Sequence, residues 1–147
     1  MASKTNIITL PVDANQAYGL VRQAGSEIRG FSLKQENPQL YSMRFARGFG
    51  WTNPVDVEIS VYQQGGQTCV QLKADIVALA DPMGFLPPVL NVFETHIHNH
   101  VHALQTGQPV APAPRERRGM TVTLWIFGAV GAMFLLLILC AVIASAR

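Results

Sequence analysis

An uncharged apolar run near the C-terminus, Thr121 to Ala144, constrains the architecture of this chain more than any other feature. No charged residue lies between Arg118 and Arg147, and the run lacks the polar face that a helix on the surface of a globular core carries. A helix of about 20 apolar residues crosses the hydrocarbon core of a bilayer. The run therefore predicts a single transmembrane helix over residues 120–145.

The charges that flank this predicted span indicate its orientation. Arg115, Arg117 and Arg118 precede the span, and only Arg147 follows it. Positively charged residues are retained on the cytoplasmic side of a membrane. The N-terminal stretch also lacks an apolar run of signal-peptide length. We therefore expect a single-pass membrane protein with a cytoplasmic N-terminal domain and a C-terminus on the opposite side, its three arginines in contact with lipid or a partner.

Prolines separate the predicted span from what precedes it. Pro109, Pro112 and Pro114 favour an extended polyproline II segment. The sequence thus predicts a cytoplasmic α+β domain over residues 1–106, a Pro-rich and basic linker over 107–119, and the transmembrane helix over 120–145.

Alternation of apolar and polar residues predicts strands in the first of these regions. The stretch "VDVEISVY" alternates with a period of two, the pattern of a half-buried antiparallel strand, and Gly65-Gly66 then predicts a hairpin turn into a second such strand. The residues of both strands expected to face the core are Val55, Val57, Ile59, Val61, Val70, Leu72, Ala74 and Ile76.

Two helices are predicted from apolar residues at helical spacing. The first begins at an N-cap, Asp13, with Gln16 three residues later, and ends at Gly30. The second runs from about Pro88 to Gln105, with an apolar stripe made of Val89, Val92, Phe93, Ile97 and Leu104. The element order is strand, helix, four strands, helix. It predicts an α+β domain with a curved antiparallel sheet of about five strands and two helices on one face.

The centre of this pattern resembles a known group of folds. Gly50-Trp51, the strand Val55–Val61, Gly65-Gly66 and Thr68-Cys69-Val70 match the aromatic-Gly loop, alternating strand, Gly turn and returning strand of small bacterial domains with a TATA-binding-protein-like or START-like fold. The resemblance covers residues 5–105. It implies binding or scaffolding more often than chemistry.

All four histidines lie at alternate positions of the second predicted helix. At about 100° per residue, His96 and His100 fall beside the apolar stripe and His98 and His102 on the opposite side, so the four cannot converge on one ion. A pair spaced i,i+4 needs a third ligand, and Glu94 would complete the exposed pair only weakly. We therefore expect no cofactor and consider a metal unlikely. The inner pair is expected to bond to strand backbone or to a partner subunit.

Apolar residues in two loops and in the span are candidates for partner or membrane contact. Aromatic loop residues bury a large area with few torsions, and small residues four apart allow transmembrane helices to approach closely. The candidates are Phe49, Trp51, Met83, Phe85, Leu86, Trp125, Gly128 and Ala132.

No motif in the sequence carries chemistry on its own. Asp56 and Glu58 share the polar face of one strand and are expected to be solvated, and no nucleophile motif occurs. Residues 1–110 hold seven Lys/Arg and eight Asp/Glu, a net charge of −1, which argues against a nucleic-acid partner. The sequence thus favours a non-enzymatic accessory subunit that docks on a larger integral membrane assembly. The first candidate for that assembly is an electron-transport complex, respiratory or photosynthetic. The alternative is a membrane-tethered binding module for a lipid, metal or small ligand.

Overall fold

A computed structural model describes residues 2–47, 54–76, 84 and 86–114. Its elements, in chain order, are β1 (Ala2–Leu10), α1 (Ala14–Glu27), β2 (Ser32–Asn37), a short 3-10 turn (Pro38–Leu40), β3 (Ser42–Arg47), β4 (Val55–Gln64), β5 (Gln67–Ile76) and α2 (Leu86–Thr106).

The strands form one antiparallel sheet in the order β1-β5-β4-β3-β2. The first strand pairs with the last, with Ile8 opposite Val70, so the chain closes one edge of the sheet with its N-terminus. Between β4 and β5, Gly65 and Gly66 have φ of 59° and 80°. Two successive positive φ values match the twist of a tight hairpin, and glycine adopts them without steric cost. The hairpin predicted at Gly65-Gly66 is confirmed.

One face of the sheet forms the core. Along β4 and β5, all eight side chains predicted to point inward are at most 4 % exposed. The helices α1 and α2 pack on this face and against each other. The Asp13 side chain accepts a hydrogen bond from the Gln16 backbone N–H at 3.0 Å, which confirms the predicted N-cap of α1. The predicted α+β domain, a five-stranded antiparallel sheet with two helices, is confirmed.

A close approach of α1 to the sheet sets the position of its last turn. A Cβ atom added at Gly25 would lie 2.4 Å from the Phe45 ring, closer than real Cβ atoms come to a neighbour. The Phe45 ring also packs against Phe93 of α2, with 5.8 Å between ring centroids. Gly25 therefore lets the end of α1 lie directly on the aromatic core, beside α2.

The ends of α2 differ from the predicted ones. The helix begins at Leu86 and ends at Thr106, where the Gly107 N–H donates to the Ala103 carbonyl at 2.8 Å. Leu104, expected in the buried stripe, is 54 % exposed in this last turn. Residues 107–114 form neither helix nor strand, and Ala113 packs against the core. Among the residues that the structure describes, no helix is both long and apolar enough to cross a membrane, and the span predicted at 120–145 lies outside them.

Candidate functional site

The four histidines of α2 divide into a buried and an exposed pair. His96 and His100 are 1 % and 3 % exposed, whereas His98 and His102 are exposed. One turn of helix separates the members of each pair, so both imidazoles of a pair project from the same face. The side assigned to each pair from helical geometry is confirmed.

The partner of the buried pair is a carboxylate from the other helix. His96 Nε2 lies 2.8 Å and His100 Nε2 2.9 Å from Oε2 of Glu27, the last residue of α1. The expectation that these histidines bond to strand backbone or to another subunit is wrong for both Nε2 atoms. Because α1 and α2 lie side by side on the sheet, Glu27 reaches the imidazoles before any strand does.

Both imidazoles converge on one oxygen atom. The two rings meet edge to face, with centroids 4.8 Å apart and an interplanar angle of 82°. The other oxygen of the carboxylate, Oε1, accepts a hydrogen bond from Gln23 Nε2 at 3.1 Å. His96 Nδ1 is buried and has no hydrogen-bond partner within the described part of the chain. Because an ionised carboxylate only accepts hydrogen bonds, each Nε2 carries the hydrogen in these two contacts.

Glu27 is ionised in this setting. Burial, the largest single influence, would raise its pKa, but the hydrogen bonds from His100, His96 and Gln23 together outweigh it and hold the pKa below the usual value. The side chain is 43 % exposed, so it lies at the rim of the domain while both imidazoles lie inside. The cluster thus presents a carboxylate and two imidazole nitrogens to one point near the surface.

These three side chains have the composition of a metal site. One donor atom from each of Glu27, His96 and His100 lies within 4.8 Å of the others. Ligand bonds of about 2.0–2.1 Å in tetrahedral geometry place donor atoms about 3.3 Å apart. Small shifts of the three side chains would therefore accommodate an ion. Glu94, the third ligand considered from sequence, instead accepts a hydrogen bond from Asn6 Nδ2 at 3.2 Å.

Sequence reasoning missed Glu27, although one signal pointed to it. Glu27 is the only acidic residue between Ala14 and Ile28, and it borders the apolar stripe of α1. A residue at the edge of such a stripe lies close enough to the packed face to reach a neighbouring element. Which element it faces depends on how the two helices pack, and spacing along a single helix does not specify that.

The other candidate residues do not join this cluster. Leu86 is 2 % exposed within the hydrophobic core, so its side chain packs inward and offers no surface to a partner. Asp56 pairs with Arg44 on the outer face of the sheet, as a solvated carboxylate would. The remaining candidates lie outside the described residues: Phe49, Trp51, Met83, Phe85, Arg115, Arg117, Arg118, Trp125, Gly128 and Ala132.

Comparison with solved structures identifies the fold. DynU16, a protein of the dynemicin biosynthetic locus, is similar with a TM-score of 0.55 at 11 % identity over 74 % of this chain and 49 % of that one, so the chain spans about half its length. Ara h 8.0201 is similar with a TM-score of 0.52 at 8 % identity, over 73 % of this chain and 99 % of that one. CalU16 from Micromonospora echinospora is similar with a TM-score of 0.51 at 10 % identity, over 73 % of this chain and 76 % of that one. No protein-family model and no curated protein matches the sequence.

These likenesses establish a helix-grip, START-like fold for the domain, which confirms the START-like part of the resemblance. They also correct one expectation. The prediction that the chain is not an enzyme is wrong, because it rested on missing sequence motifs, and this fold occurs in a protein of a biosynthetic locus. Side chains brought together from separate elements, as Glu27 and the two histidines are here, leave no continuous motif for a sequence search to find.

Proposed function

We propose that this START-like domain binds a divalent transition-metal ion through Glu27, His96 and His100. The observation that carries the proposal is the convergence of two buried imidazole nitrogens on one carboxylate oxygen, at 2.8 and 2.9 Å. Imidazole and carboxylate ligands suit zinc, copper, nickel and iron(II).

The ligand chemistry sets the expected strength of binding. A metal takes the Nε2 lone pair of each imidazole, so the proton of each ring moves to Nδ1. A metal-bound imidazole is strengthened when that proton is donated to an acceptor, and loss of such an acceptor costs about 10–100-fold in affinity. Since His96 Nδ1 has no partner among the described residues, we expect weaker binding than at a structural zinc site.

The packing of the core favours a metal over an interior lipid. A lipid inside the domain would need a large apolar cavity between the helices and the sheet. Here Phe45, Phe93 and Ile97 occupy that space and are each 0 % exposed. Within the described residues, the polar cluster at the rim between α1 and α2 is therefore the better candidate for ligand binding.

Metal titration of the full-length chain tests the proposal. The chain, carrying a tag without histidine and purified in mild detergent, is stripped with a chelator and titrated with Zn²⁺ by calorimetry. We expect one saturable site. Glu27→Gln removes the charged ligand at a partly exposed position and should weaken Zn²⁺ binding by at least about tenfold, within the range seen when metal-site partners are lost.

A matched pair of variants provides the control. His98→Ala/His102→Ala removes as many imidazoles from the same helix as His96→Ala/His100→Ala. The exposed-pair variant should bind Zn²⁺ as the parent does, and the buried-pair variant should not bind it. Equal binding by all of these proteins, or loss of binding only in the exposed-pair variant, contradicts the proposal.

A second proposal concerns where the domain works. We propose that residues 120–145 form a transmembrane helix and that the chain docks as an accessory subunit on a larger membrane assembly. An electron-transport complex is the first candidate for that assembly. The uncharged run from Thr121 to Ala144 supports this, as do the arginines before it. Purification of the tagged chain in mild detergent should recover membrane partners. Recovery from the aqueous fraction, without a membrane, contradicts it.

A further inference from the structure

The proposed metal site is built from one side only. Both imidazoles are almost fully buried, and the carboxylate that completes the set lies at the rim with 43 % of its side chain exposed. All three donors therefore approach an ion from the protein side. No fourth His, Cys, Asp or Glu joins the group within the described part of the chain. Two imidazoles and one carboxylate leave coordination positions open, as in sites that bind exogenous ligands.

Charge indicates what would occupy those positions. A divalent ion with two neutral imidazoles and one carboxylate keeps a net charge of +1. The Gln23 amide, which contacts the carboxylate, is neutral and adds no negative charge. A net positive centre that is partly withdrawn from water attracts an anion more strongly than a water molecule. An anion small enough to enter from the solvent side would neutralise the site.

We infer that the metal ion held by Glu27, His96 and His100 binds a small anion directly, in positions that face solvent. This inference rests on the proposed function and extends it from metal binding to a site that takes a further ligand. The ligand class is a carboxylate, phosphate or similar anion with an oxygen or nitrogen donor. In such a site the metal acts as a Lewis acid toward the anion that it holds.

Cobalt spectroscopy with azide as the probe tests the inference. Co²⁺ replaces Zn²⁺ in the full-length chain, and its bound stoichiometry is measured by equilibrium dialysis. Azide is then titrated while the visible absorption of Co²⁺ is recorded. We expect the visible bands to shift with saturation while Co²⁺ stays bound at one ion per chain. Acetate and phosphate, titrated next, should compete with azide.

The outcomes separate the two proposals. Stoichiometric Co²⁺ binding with a spectrum unchanged by azide overturns the open site and leaves the metal site standing. Binding of neither Co²⁺ nor Zn²⁺ overturns both. His98→Ala/His102→Ala should show the same azide shift as the parent. A shift that persists in His96→Ala/His100→Ala would come from Co²⁺ bound elsewhere, and it would also overturn the inference.

Discussion

The two faces of α2 carry the same side chain in different settings. His96 and His100 lie against α1 with their Nε2 atoms on one carboxylate oxygen, and His98 and His102, two residues further along in each case, are exposed. Residue type, spacing and helix are identical, and only the neighbour differs. An i,i+4 histidine pair therefore becomes a candidate site when a second element packs against it, supplies the third group and covers the imidazoles.

Removing each pair should give the largest difference in stability. His96→Ala/His100→Ala removes two buried rings and two hydrogen bonds to a charged group, and we expect a loss of about 3–5 kcal/mol in the free energy of unfolding. His98→Ala/His102→Ala should change it by no more than about 0.5 kcal/mol. Metal-free chemical denaturation followed by circular dichroism measures both. Equal losses would show that burial does not distinguish the pairs.

Glycine substitutions in α1 test whether the position of Glu27 depends on helix packing. In Gly25→Ala the new methyl group meets the Phe45 ring, and we expect overpacking to cost about 1–3 kcal/mol. The displaced helix end should also weaken Zn²⁺ binding.

Gly19→Ala is the matched control on the same helix. No atom lies within 4 Å of its added Cβ, so the better helix propensity of alanine should stabilise the chain by up to about 1 kcal/mol. Thermal unfolding and Zn²⁺ titration of both variants test these expectations. Unchanged stability and Zn²⁺ affinity in Gly25→Ala would contradict the close approach of α1 to the sheet.

Glu27→Gln tests the charge of the buried pair's partner in the absence of metal. Because the pKa of Glu27 lies below its usual value, its ionised form stabilises the fold above the usual carboxyl range, and this contribution is lost as pH falls through the lowered pKa. Since the carboxylate is partly exposed, we expect about 1 kcal/mol at neutral pH. Unfolding from pH 7 to pH 3 should show a smaller loss of stability in the variant than in the parent.

Tyr18→Phe provides a reference away from the histidines. Burial, a hydrogen bond donated to Glu36 and the charge of Glu36 raise the pKa of Tyr18 to about 12. Its protonated form therefore stabilises the fold fully below about pH 10, the ordinary tyrosine value, and the contribution is lost as pH rises toward 12. We expect a cost of about 0.5–1.5 kcal/mol at neutral pH. Zn²⁺ affinity should not change, and a change would link this contact to the metal site.

Much of the fold could be predicted because local patterns carry it. Alternation in β4 and β5, the Gly65-Gly66 turn and the Asp13 cap each depend on neighbours within a few residues. The boundary of α2 was less accurate, since prolines at its start suggested a later first residue than Leu86. Leu86, predicted as a contact residue of an apolar loop, lies in the first turn of a buried helix, and the two settings have similar compositions.

The site could be predicted only in part. Helical geometry assigned His96 and His100 to the inner face correctly, but it supplied no third ligand and therefore disfavoured a metal. Glu27 lies far from both histidines in the sequence, and no spacing rule connects them. For the same reason, the absence of catalytic motifs does not argue against an enzyme. Groups that come together from separate elements leave no continuous signature in the sequence.

The strands, the helices and the face of α2 on which each histidine lies follow from the amino-acid sequence, since each depends on periodicity along one element. The sequence also contains the uncharged run that predicts a membrane span. Only the tertiary structure decided that α1 ends beside the middle of α2. That contact depends on how two helices pack over one sheet, with Gly25 admitting the Phe45 ring. Through it, two buried imidazoles gained a carboxylate and became a candidate metal site.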